Sequence, residues 1–150
     1  MGTKYKGSKK EIEALNAFIK LNRASETVFG NTKNLFSKEG LTESQFSVLE
    51  VLYHCGPQSQ LDIGKKILKT RGNITFVIRN LEKNGYIIRQ REDKDKRFYL
   101  VNLTKKGRAV IAKIFPQHVK QIVDTMSILS FKEQQELARL CKKLGLAVKG

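Results

Sequence analysis

Acidic residues are scarce in this 150-residue chain: 14 Asp and Glu stand against 29 Lys and Arg, a formal net charge of +15. That imbalance favours polyanionic partners, either nucleic acid or an anionic membrane surface, and says nothing about fold. Cysteine is nearly absent. Cys55 and Cys141 are too few to staple a chain of this length, so burial must hold its core. No apolar run approaches the roughly 18 residues that a membrane-spanning helix needs. The basic opening MGTKYKGSKK is not followed by the apolar stretch of a secretory signal. The expectation is a cytoplasmic protein with no membrane contact. Signatures of catalysis are missing too. His54 and His118 lie far apart, with no Glu or Cys set at metal-ligand spacing, and no Gly-rich phosphate loop is present. These gaps argue against an enzyme, a metal and a cofactor.

What is present is a chain able to fold. Hydrophobic residues make up 40% of it, enough for a core and too many for a disordered basic tail. The length suits one domain over 1–150, with helical arms. Net charge does not locate a binding surface, because Lys and Arg outnumber Asp and Glu by 11 to 5 over residues 59–104 and by 10 to 3 over 105–150. Pattern has to locate it. Met1–Lys10 reads as a mobile solvated start or a DNA-touching arm. From Glu11 to Phe36 the apolar spacing is helical, with Ile12, Leu15, Phe18 and Ile19 on one face and Val28, Phe29, Leu35 and Phe36 resuming it.

Five further helices follow. Thr42 and Gln45 form a capping box, with Leu41 and Phe46 as a hydrophobic staple, and Gly56-Pro57 ends that helix. Ser59 and Asp62 open a short helix with Leu61, Ile67 and Leu68 as its expected buried positions; Gly64 suggests a close helix neighbour. Thr70 caps a third, which stops at Asn84-Gly85 and carries Ile74, Val77, Ile78 and Leu81 as one apolar stripe. The period then changes: Tyr86–Arg91 and Phe98–Leu103 read as a two-stranded hairpin with a charged tip. Thr104 begins a long helix in which Pro116 should bend or break one turn. Ser130 and Glu133 open a last helix, with Leu137, Leu140, Cys141 and Leu144 on its apolar side and Gly145 closing it. The fold class expected is mainly α with a small β-hairpin. It has a winged helix-turn-helix core at 41–104, with the helix-turn-helix at about 59–84 and the wing at about 86–103. Arms at 11–38 and 105–147 carry apolar stripes that call for a second subunit.

Three groups of residues point towards double-stranded DNA. The second helix of such a motif enters the major groove by its N-terminal residues. Here these are Arg71, Asn73 and Thr75, suited in turn to guanine, adenine, and a polar edge or thymine methyl, with Thr70 placed for a phosphate. The plain alternative is a solvated helix start. In the hairpin tip, Lys94, Lys96 and Arg97 can reach a minor groove or backbone, and Asp95 can hold the Arg97 guanidinium; otherwise the tip is a polar turn. Ser59, Gln60, Lys65, Arg79, Asn80 and Lys83 are either register-setting phosphate contacts or ordinary surface residues. Phe76 lies at the centre of the groove-facing side. It cannot hydrogen-bond a base, and is left to pack on a thymine methyl or on a neighbouring residue.

The stretches LTESQFSVLEVLY, IGKKILKTRGNITFVIRNLEKNGYI and DKRFYLVNLTKKG resemble the winged-helix core of the multiple antibiotic resistance regulator (MarR) family. The last carries the family's wing signature at Asp95, Arg97, Leu103, Thr104 and Gly107, and the helical ends match in length and order. The resemblance implies a homodimer built from the terminal helices. It also implies a pseudo-palindromic operator, repression, and release by a small aromatic ligand or an oxidant. Pieces at Tyr53–Leu68 and Phe115–His118 look most like the quinone- and aromatic-responsive subgroup. Many members carry Arg where this chain has Phe76, so base preferences there do not transfer. Cys55 is either a redox sensor or a small hydrophobe at a helix end; the commoner use of free cysteine favours the second. The reactive cysteine of the family's peroxide sensors lies in the first helix, which has none here. Cys141, on its stripe, is expected to be buried. An architectural DNA-binding protein of low sequence specificity is the alternative function, and a pure protein-interaction module a further one.

Overall fold

The computed structural model describes residues 2–67 and 71–147, and only the backbone of Arg71 and Gly72. Hydroxyl side chains set most of its helix starts. Helix α1 (Lys9–Ser37) begins two residues earlier than its apolar spacing suggests, because Ser8 and Glu11 form a full capping box. The Ser-x-x-Glu signature was there to be read. The segment expected to be loose is tied back: the Thr3 amide donates to Asn16 Oδ1 at 2.7 Å. Helix α2 (Glu43–Cys55) starts at the Thr42–Gln45 box and ends at Gly56, whose φ of +74° suits glycine. Strand β1 (Gln58–Ser59) leads into α3 (Gln60–Ile67), where Ser59 Oγ accepts from the Asp62 amide at 3.1 Å. Helix α4 (Arg71–Lys83) ends before Gly85, at φ +76°. Strands β2 (Ile87–Arg91) and β3 (Tyr99–Leu103) precede α5 (Lys105–Met126) and α6 (Phe131–Ala147).

The sheet has three strands in the order β1-β3-β2, all neighbours antiparallel. The two-stranded expectation is corrected here. β1 is two residues long and pairs Gln58 with Val101 and Ser59 with Leu100. A two-residue strand has no alternation to detect; only its partner defines it. The β2–β3 register runs from Ile87 opposite Leu103 to Arg91 opposite Tyr99.

The core gathers Leu49 and Leu52 of α2, Ile63 of α3, Ile78 and Leu81 of α4, Ile87 and Val101 of the sheet, and Ile111 and Ile114 of α5. Ile74 and Val77 complete the α4 stripe as expected. Helix α3 differs. Leu61 is 48% exposed, whereas Ile63 and Gly64 are buried. Two residues at 100° each put Leu61 far around the helix from Ile63, so both cannot face the core. Leu68 falls outside the described residues. Pro116 does not break α5, which runs through it with the proline on the exposed side. Gly145 does not close α6, which continues to Ala147.

Helix α6 buries none of its residues within the chain. Leu137, Leu140 and Leu144 face a groove of about 500 Å³ shared with Ala14, Ala17, Phe18 and Leu21 of α1. Cys141 is therefore exposed rather than buried, because nothing in the single chain covers its stripe. Among the described residues, no helix is long and apolar enough to cross a membrane.

Candidate nucleic-acid interface

Burying Ile74, Val77, Ile78 and Leu81 obliges α4 to turn its opposite side outwards. Asn73, Phe76, Arg79 and Lys83 are exposed there, and Thr75 and Asn80 are half-buried at the flanks. Gln60 Nε2 donates to Thr75 Oγ1 at 2.7 Å. That bond makes two residues expected to face DNA separately into a brace between α3 and α4. Nothing in their sequence separation of 15 signals it. Ser59 is likewise engaged, its hydroxyl donating to Asp62 Oδ2 at 2.8 Å, while Lys65 is exposed. Thr70 and the Arg71 side chain lie outside the described residues.

The hairpin tip is an ordered turn. The Glu92 amide donates to the Phe98 carbonyl at 2.9 Å, and the Phe98 amide to that of Asp95 at 3.0 Å. Asp95 holds Arg97 as expected: Oδ1 accepts from the Arg97 amide at 3.1 Å and from Nε at 3.0 Å, and Oδ2 from Nη2 at 2.8 Å. The guanidinium hydrogen bonds push the Asp95 carboxyl below its ordinary pKa, and the same contact raises that of Arg97. The Arg97 side chain nonetheless stays 85% exposed. Lys94 and Lys96 are exposed beside it. A second polar pair was missed. Arg91 Nε donates to Tyr99 Oη at 3.2 Å, with the guanidinium 5.6 Å from the ring centre. These residues are opposite in the hairpin register, so aligning the two strands would have found them.

Wing and helix are locked together at one junction. Thr104 Oγ1 donates to the Gly85 carbonyl at 2.6 Å and accepts from the Gly107 amide at 3.1 Å. Arg89 of β2 pairs with Glu82 of α4 at 3.3 Å.

Behind this face, His118 of α5 sits among Phe36, Phe46 and Phe115, with ring centres 5.6, 4.9 and 6.3 Å away. Burial pushes its pKa below the ordinary 6.5, with the Glu50 charge opposing. Its Nδ1 has no hydrogen-bond partner among the described residues. A cavity of about 100 Å³ lies against it, lined also by Phe29, Thr32, Phe36, Phe46 and Glu50. A cleft of about 310 Å³ between α1, α2 and α3 shares Phe29, Ser47 and Glu50 with that cavity. Cys55, at the end of α2, is exposed. It is not packed as the small hydrophobe that residue statistics favoured, because the helix ends at the surface there. Among the described residues no three His, Cys, Asp or Glu side chains gather as a metal site.

Architecture and surface together define a winged helix-turn-helix protein with helical arms at both ends. Comparison with known proteins gives the same answer. The MarR family profile matches residues 41–98. The helix-turn-helix transcriptional regulator YkoM of Bacillus subtilis is 38% identical over 140 residues, covering 93% of this chain and 91% of its own. MhqR of the same organism is 36% identical over 137 residues, covering 91% and 94%. Among solved structures, Bordetella bronchiseptica BpsR, whose DNA binding is regulated by 6-hydroxynicotinic acid, aligns with a TM-score of 0.76. It is 26% identical, over 83% of this chain and 89% of its own. The chain belongs to the MarR family. It is a transcriptional regulator of the helix-turn-helix type, not an enzyme.

Proposed function

We propose that this regulator binds a pseudo-palindromic operator in double-stranded DNA as a cytoplasmic homodimer, represses transcription there, and is released by a small aromatic ligand or an oxidant. The observation that carries the reading is the pairing of an outward α4 face with a wing whose exposed Arg97 guanidinium is held by Asp95. A clamped guanidinium in solvent is pre-organised for a minor groove, where narrow A·T tracts attract it. In this reading Arg71, Asn73 and Thr75 meet base edges. Thr70, Ser59, Gln60, Lys65, Arg79, Asn80 and Lys83 set register, and Lys94 and Lys96 contact backbone. The uncovered stripes of α1 and α6 support the dimer. The BpsR likeness supports an aromatic effector, for which the cleft of about 310 Å³ adjoining the aromatic-lined cavity beside His118 offers more room than that small cavity alone. Exposure of Cys55 meets one requirement of an oxidant sensor.

Footprinting on DNA upstream of the protein's own gene tests the proposal. A discrete footprint of about two helical turns is expected. Arg97→Ala should weaken binding there by about 1–3 kcal/mol. Coating without boundaries would instead establish an architectural protein of low specificity. An unchanged Kd and salt slope for Arg97→Ala would remove the wing from the interface.

A further inference from the structure

Phe76 stands in the middle of the outward face of α4, and its ring is 65% exposed. Any packing on a neighbouring residue, the other role open to it from sequence, leaves most of the ring in solvent. Among the described residues no aromatic ring stacks on it and no cation lies over it. Phe76 is the sixth residue of α4, within the half of the helix that enters a groove first in a helix-turn-helix. Exposed Asn73 and Arg79 flank it with hydrogen-bonding groups.

A phenyl ring has no donor or acceptor for N7, O6, N6 or O4, and nothing to offer a phosphate. The base edges of the major groove carry one apolar feature, the C5-methyl of thymine. We infer that Phe76 is a specificity-determining residue that selects thymine by packing its ring on that methyl group. The inference rests on the reading of α4 as the groove-entering helix.

The test begins with selection of bound sequences from randomised duplexes by the wild-type protein. Each thymine of the selected site is then replaced by deoxyuridine, which removes the methyl and keeps every hydrogen-bonding group. Affinities are measured for the wild type and for Phe76→Ala, with circular dichroism to verify folding of this surface variant. Loss of one buried methyl should weaken wild-type binding about fourfold at one thymine per half-site. Phe76→Ala should bind the thymine site more weakly than wild type and not distinguish thymine from deoxyuridine at that position. An enriched site bound equally well with deoxyuridine throughout would overturn the inference and leave the DNA reading standing. So would a methyl dependence that persists in Phe76→Ala. Failure of the wild type to enrich any sequence would overturn both.

Discussion

His118 is a titratable ring enclosed by three others, with an unpaired Nδ1 and Glu50 near it. Burial favours its neutral form, so the folded chain takes up a proton less readily than the unfolded chain does. The unfolded state then binds more protons between the folded pKa and 6.5, and stability rises with pH across that window. It is full above 6.5 and is lost as pH falls below it. The midpoint of urea unfolding is expected to drop between pH 7.5 and pH 5.0, and His118→Gln should narrow that drop. An equal drop in both proteins would assign the acid sensitivity elsewhere. The Asp95–Arg97 pair illustrates a different use of charge. It is exposed, so its contribution to stability is small and screened. Its consequence is geometric, a guanidinium held in one direction.

At the scale of elements, the junction of α4, the hairpin and α5 gives each of Leu103, Thr104 and Gly107 a distinct task. Leu103 ends β3 in the core, Thr104 caps α5 and reaches the Gly85 carbonyl, and Gly107 lets the first turn of α5 pass against Tyr86. A Cβ on Gly107 would collide with the backbone carbonyl of Tyr86 and press on Leu103. Backbone cannot yield as a side-chain tip can. Gly107→Ala is therefore expected to cost about 2 kcal/mol or more. That corresponds to a Tm lowered by about 4–8 °C, read by thermal unfolding. An unchanged Tm would mean that α5 shifts freely against the sheet. The variant should also loosen the wing relative to α4, since both meet at this point.

For the whole molecule, the question is what covers the apolar faces that one chain leaves in water. Phe18 is 67% exposed and Leu140 48%, on two helices that face a common apolar groove. Single exposed leucines need no explanation, but continuous stripes on two terminal helices do. The wild type is expected to sediment as a dimer at micromolar concentration, and Leu140→Asp as a monomer. A monomeric wild type, or a dimer undisturbed by Leu140→Asp, would refute dimerisation through this face. Cys141 lines the same groove, so dimerisation through this face would cover it.

Much of this architecture was legible before any coordinates. The caps at Thr42, Ser59, Thr104 and Ser130, the stop at Gly85 and the α4 stripe all depend on residues within a turn or two of one another. Short-range hydrogen bonding and helical period encode such features directly. The Asp95–Arg97 clamp was legible for the same reason, its partners being two residues apart. Other features depend on residues distant in sequence. β1 exists only because β3 lies beside it, Ile63 rather than Leu61 turns inwards because α2 and α4 approach from that side, and Gln60 meets Thr75 across the helix-turn-helix. Phe76 shows the division most clearly. Its identity and position on α4 follow from the chain, whereas its 65% exposure follows from how the described elements pack around it. Solvent exposure is set by everything that packs nearby, and no local pattern contains it.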